Sequence, residues 1–96
     1  MLKVRDAAMS SSGSGGVEPI GRLVRRTRKL RGLTQYELAD ALVDLSGKES
    51  LGRDDVARWE RGKRVPGPYW RHWLGEALDL PFDELDAAAR CARRRR

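Results

Sequence analysis

The sequence has one cysteine, one histidine and six aromatic residues among its 96 positions. Each scarcity removes a class of explanation. A lone Cys91 builds no internal disulfide framework and no cysteine-based metal site, and His72 alone supplies no metal cluster, so neither metal nor other cofactor is expected. No apolar run approaches the roughly 18–20 residues of a membrane-spanning helix. The opening stretch, MLKVRDAAMSSSGSGG, lacks the apolar middle region of a secretion signal. A soluble protein of a reducing compartment, the cytoplasm, is expected, with no membrane partner. Nor is there a pair of carboxylates framing a cleft, a nucleophile beside a base, or a glycine-rich phosphate loop, so no enzyme is expected.

What remains is a short, basic, helix-forming chain. Its length suits one small domain, and 40% apolar content supports a core. The net charge is +6, and arginine outnumbers lysine sixteen to four. Guanidinium groups favour forked contacts to phosphate over point-charge contacts. A strong basic balance points to nucleic acid first and to acidic membranes or proteins second.

Residues 10–16, SSSGSGG, have linker composition, and residues 1–17 are expected to form a disordered tail. From Ile20 the periodicity predicts a helix with Leu23, Val24 and Thr27 on its inner stripe, Leu30 on the flank, and Arg22, Arg25, Arg26 and Lys29 opposite. Gly32 supplies a C-terminal cap. Thr34 followed by Glu37 is a capping box opening a second helix, which carries Leu38, Ala39, Leu42, Val43 and Leu45 and stops near Ser46–Gly47. The polar loop SGKESLG leads to a short third helix, about Arg53 to Arg61, with Val56 and Trp59 inward and Gly62 closing it. After VPGP a fourth helix runs from Tyr69 to Leu78, with Trp70, Trp73, Leu74, Ala77 and Leu78 on one face. Pro81 opens a fifth, bearing Phe82, Leu85, Ala89 and Ala92, that runs into RRRR. No strand pattern and no internal repeat appear, so the fold class is all-α with five helices. The expected domain spans residues 18–88, and residues 89–96 form a basic C-terminal extension.

Two short helices in succession, the first opened by Thr-Gln and the second ending in Trp-Glu-Arg-Gly, carry a specific likeness. The segments GLTQYELADAL (32–42), VARWERGKRVP (56–66) and LGEALDLPFDEL (74–85) resemble the phage-repressor-like helix-turn-helix family of the Cro and xenobiotic-response-element type. With the first helix, the likeness covers about residues 20–85. It implies a lambda-repressor-like domain that binds double-stranded DNA and regulates transcription, most simply as a repressor. It further implies that the third helix reads the major groove, whose width matches an α-helix.

Carried over position by position, the resemblance puts Arg53, Asp54 and Arg58 at base-reading positions. Gln35, first in the second helix, matches a residue that fixes that helix to a phosphate. Arg61, Lys63 and Arg64 follow the reader, where the family contacts the DNA backbone. Glu60 lies on the inner half of the third helix, and the family pairs it with a basic residue of the first, here Arg28.

Competing readings stand beside these. Arg58 and Asp54 also have the spacing of an exposed i,i+4 ion pair. Asp54 and Asp55 in a first turn complement the helix dipole. Gln35 is also a good helix starter, and the basic face of the first helix reads either as plain solvated surface or as a source of long-range attraction and flanking-phosphate contacts. Trp59, Trp70 and Trp73 are expected in the core rather than as stacking platforms, and His72 faces away from them. The terminal arginines add sequence-independent DNA affinity, fray, or border a downstream domain.

Seventeen residues separate Ala39 from Val56, more than the family's usual interval. The extra length in VDLSGKESLG lengthens the second helix, enlarges the turn, or both. Gly52 gives the reader a weaker start than Ser or Thr. A module of this size is expected to work as a homodimer on DNA. Its dimer surface is sought on Leu85, Ala88, Ala89, Cys91 and Ala92, which otherwise pack on the first helix. From another class, the same fold serves as an antitoxin-like or adaptor module that binds another protein.

Overall fold

The computed structural model describes residues 18–94. The tail expected over 1–17, and Arg95 and Arg96 of the expected extension, lie outside the described residues. Within them the chain is all-helical: α1 Ile20–Leu30, α2 Gln35–Ser46, α3 Arg53–Glu60, α4 Pro68–Leu78 and α5 Phe82–Arg94.

α1 buries Ile20, Leu23, Val24 and Thr27 and exposes Arg22, Arg25, Arg26 and Lys29, so its stripe follows the helical period. Its end is a Schellman turn. The Leu33 N–H donates to the Arg28 carbonyl at 3.1 Å and the Gly32 N–H to that of Lys29 at 3.0 Å, with Gly32 at φ 72°. Leu30 stands outside this packing, 76% exposed.

α2 opens with a complete capping box. The Glu37 N–H donates to Thr34 Oγ1 at 3.0 Å, and the Thr34 N–H donates to Glu37 Oε1 at 2.8 Å. Removing such a cap costs about 0.5–2 kcal/mol. Leu38, Ala39 and Leu42 are buried from this helix, while Leu45 turns to solvent.

The long interval is shared between a twelve-residue α2 and a connection over residues 47–52. That connection is not wholly polar in its packing. Leu51, placed by sequence in a solvated loop, is only 8% exposed and joins the core beside Val56. Burial of one Leu side chain is worth about 1.5–3 kcal/mol, so the connection is held down next to the start of α3.

α3 packs on α1 and α2. Gly21 makes the approach of α1 possible. A Cβ there would collide with the Trp59 carbonyl oxygen and stand 3.0 Å from that of Glu60. Only a residue without a side chain brings the first turn of α1 this close to the last turn of α3.

α4 begins with Pro68 at its first position, one residue before the expected Tyr69, where the missing N–H costs nothing. Its buried stripe also differs from expectation. Arg71, Leu74 and Leu78 face the core, and of the three tryptophans only Trp59 is buried. Trp70 and Trp73 flank the core as half-buried rings.

α5 runs without interruption through the boundary expected at residue 88. Leu85, Ala88, Ala89 and Ala92 are all buried, in contact with α1 and α4. The domain therefore continues into the segment read as an extension. Of the face offered as a dimer surface, Leu85, Ala88, Ala89 and Ala92 are thus spent inside the domain, while Cys91 is half-buried. Small alanines at 88, 89 and 92 let α5 lie close against α1.

Candidate nucleic-acid interface

At the centre of the α1–α2–α3 junction is the carboxylate of Glu60. Arg28 meets it as a fork, Nε donating to Oε2 at 2.7 Å and Nη2 to Oε1 at 2.9 Å. The remaining amino group, Nη1, donates to the Leu33 carbonyl at 2.8 Å. Gln35 Nε2 donates a further bond to Glu60 Oε1 at 3.0 Å. The Arg28 and Glu60 side chains are only 9% and 3% exposed. The hydrogen bond to Glu60 raises the Arg28 guanidinium above its ordinary value; burial opposes this, and the nearby negative charge reinforces it. One carboxylate thus ties the end of α1, the start of α2 and the end of α3 together.

Gln35 is therefore placed differently from the simple phosphate contact its position suggests. One side-chain N–H is committed to Glu60, which leaves the other amide hydrogen and the carbonyl for a second partner. Nothing in the local sequence marks this bond, because its acceptor lies 25 residues away.

The inner side of α3 is locked by Val56, Trp59 and Glu60, and the outer side carries the candidate readers. Asp54, Arg58 and Arg61 are exposed and fall within about 60° of one another around the helix axis. Arg53 does not join them, lying about 140° from Arg58 around the axis. It lines an open cleft with Thr34, Gln35 and Tyr36 at the start of α2. The three base-reading candidates are thus divided: two on one face, one beside the neighbouring helix.

The expected Asp54–Arg58 pair is replaced by another. Arg58 Nη1 lies 3.6 Å from Asp55 Oδ1, an i,i+3 contact with both side chains substantially exposed. At that distance and exposure it contributes a few tenths of a kcal/mol at most. Asp55 also accepts the Gly52 N–H on Oδ2 at 2.9 Å. Glycine has no side chain to return a cap, so this is half of a capping box. Asp55 starts the helix that a Ser or Thr would otherwise start, and Asp54 is left facing outward.

Arg61, Lys63 and Arg64 are all exposed. Gly62, at φ 77°, turns the chain sharply after α3, and the Lys63 N–H returns to the Arg58 carbonyl at 2.9 Å. The far end of this loop is anchored by a buried cation. Arg71 Nη1 donates to the Pro66 carbonyl at 2.7 Å and Nη2 to Asp86 Oδ1 at 3.0 Å. The loop carrying Lys63 and Arg64 is thereby tied to both α4 and α5. Arg71 keeps the 71, 74, 78 spacing of the buried stripe, which was a readable signal obscured by its charge.

One residue of the basic face of α1 joins this site. Arg22, from the first turn of α1, lines one cleft together with Arg61 and Arg64. Salt bridges among the described residues engage Arg26, Arg28, Arg58, Arg71 and Arg90, and none of these three cleft arginines is among them. Sequence alone left Arg22 between solvated surface and flanking-phosphate contact, because its spatial neighbours come from α3 and the loop after it.

Among the described residues, no group of histidine, cysteine and carboxylate side chains is arranged to hold a metal ion, and no helix is long and apolar enough to cross a membrane. The chain matches no family model, no curated protein and no solved structure.

Proposed function

We propose that this protein is a sequence-specific double-stranded DNA-binding regulator of the lambda-repressor-like helix-turn-helix type, acting in the cytoplasm and most simply as a repressor. The observation that carries the reading is the division of α3 into two sides. The inner side is fixed by Val56, Trp59 and the Arg28–Glu60–Gln35 cluster, and the outer side offers Asp54, Arg58 and Arg61 to a partner. A helix held rigidly by its back is suited to the major groove, because little freedom is lost on docking.

In this reading Arg58 contacts a guanine edge through its forked guanidinium, and Asp54 either accepts from a cytosine amino group or orients its neighbours. Arg53, beside Gln35 and Tyr36, takes a phosphate or base at the groove edge. Arg61, Lys63 and Arg64 take backbone phosphates, which fix register without carrying sequence information.

The test is selection of bound duplexes from a random oligonucleotide pool, with the salt dependence of binding measured on a selected and a scrambled duplex. A recurring selected motif, together with a steep loss of affinity of about a thousandfold or more between 50 and 200 mM salt, is expected. Flat or absent binding would favour the adaptor reading, in which the same fold serves another protein.

A further inference from the structure

Three segments meet where α1 begins: its own first turn, the last turn of α3 and the loop that follows α3. Arg22, Arg61 and Arg64, all exposed, open there onto one cleft shared with Trp59 and with Ala92 of α5. Three cations in one cleft repel each other unless counter-charge sits among them. The chain supplies none. Glu60 lines the cleft, but its carboxylate already accepts two bonds from Arg28 and one from Gln35. Glu18, one residue before Pro19 at the cleft edge, is held by Arg26 at 2.6 Å. The first turn of α1 contains no acidic residue.

Nor are these side chains needed to satisfy the end of α3. The carbonyls of Ala57, Arg58 and Trp59 already accept the backbone N–H groups of Arg61, Lys63 and Gly62. The cleft therefore keeps three forked donors for a ligand from outside. That ligand must carry more than one negative charge and several acceptor oxygens in a small volume. A phosphate monoester has both, with a charge of about −1.5 to −2 at neutral pH and three terminal oxygens. Guanidinium forks match such oxygens in pairs. A carboxylate or a single backbone phosphodiester brings one charge and two free oxygens, less than three guanidinium groups can engage.

We infer that this cleft is a binding site for a doubly charged phosphate group, inorganic phosphate or a small phosphomonoester, gripped by Arg22, Arg61 and Arg64. Binding there needs no DNA. A regulatory consequence follows, and it rests on the DNA-binding reading. A phosphate held by Arg61 and Arg64 withdraws two backbone-contacting residues from the duplex, so a phosphorylated small molecule loosens the protein from DNA.

The experiment titrates the full chain, without DNA, with sodium phosphate and with sodium chloride at equal ionic strength, read by backbone amide NMR. The amides of Gly21, Arg22 and Gly62 are expected to shift saturably with phosphate, with a Kd of about 1 mM, and not with chloride. Arg22→Ala weakens this about tenfold, and Arg22→Lys, which keeps the charge but loses the fork, about threefold. Arg25→Ala, an exposed arginine of α1 outside the cleft, leaves it unchanged. Dimethyl phosphate, a diester with one charge, binds about tenfold more weakly than inorganic phosphate. Shifts no different from those in chloride overturn the inference, as does a loss from Arg25→Ala equal to that from Arg22→Ala. Equal binding of the diester overturns the assignment to a doubly charged group. In a second arm, phosphate lowers wild-type affinity for a selected duplex at fixed ionic strength and affects Arg22→Ala far less. A duplex affinity indifferent to phosphate overturns the regulatory consequence. Phosphate binding without any duplex binding sustains the site and sinks the DNA reading instead.

Discussion

Arg28 and Glu60 meet through two parallel N–H···O bonds of 2.7 and 2.9 Å, although 32 residues separate them in the chain. The pair closes the α1–α3 angle, and Gln35 adds the start of α2 to the same carboxylate. The orientation of α3 is thus set by polar geometry as well as by the fit of Val56 and Trp59.

Glu60→Ala leaves the Arg28 guanidinium buried without its partner and is expected to cost about 3–5 kcal/mol of stability. Gln35→Ala removes one hydrogen bond to a charged group and costs about 1.5–3 kcal/mol. Urea denaturation of the two variants, read as a change in midpoint at constant slope, checks both values. Equal and small losses would mean that the carboxylate is not a structural centre.

Leu51→Ala removes the apolar anchor of the long α2–α3 connection. It is expected to cost about 2–5 kcal/mol and to speed amide exchange in α3 more than in α5. Exchange measured residue by residue separates this local effect from global loss, since a purely global effect would raise both helices together.

The outer face of α3 predicts a split between two alanine variants. Arg58→Ala lowers affinity for a selected duplex by about 1–3 kcal/mol and relaxes preference at one base pair, whereas Lys63→Ala weakens all duplexes alike. Competition binding against single-base variants of the selected site distinguishes them. An even loss from both would show that Arg58 does not read a base.

Arg22→Ala tests whether the cleft formed with Arg61 and Arg64 takes a phosphate. The slope of log affinity against log salt is expected to fall by about one, with sequence preference unchanged. Titration of the variant on the scrambled duplex measures it, and an unchanged slope removes Arg22 from the interface.

The sequence was enough for the helices themselves. Apolar spacing placed α1, the Thr34–Glu37 box opened α2, and Gly32 and Gly62 closed α1 and α3, because caps and periodicity act over a few residues and are written locally. The α3 boundaries were legible for the same reason. The Arg28–Glu60 pairing was expected only from the family resemblance, since no local rule connects residues so far apart.

What needed the folded chain was whatever depends on neighbours from another helix. Leu51 looks like a loop residue until the connection folds onto the core, and Arg71 looks exposed until the Pro66 carbonyl and Asp86 come within reach. The alanines of α5 read equally well as an inner or an outer face, and contact with α1 and α4 assigns them inward. Arg22 joins Arg61 and Arg64 only because Gly21 lets two backbones approach. Local chemistry fixes which segments coil, since each hydrogen bond and cap lies within a turn. Which charges end up buried, paired or grouped follows from long-range packing, and that is decided by tertiary structure alone.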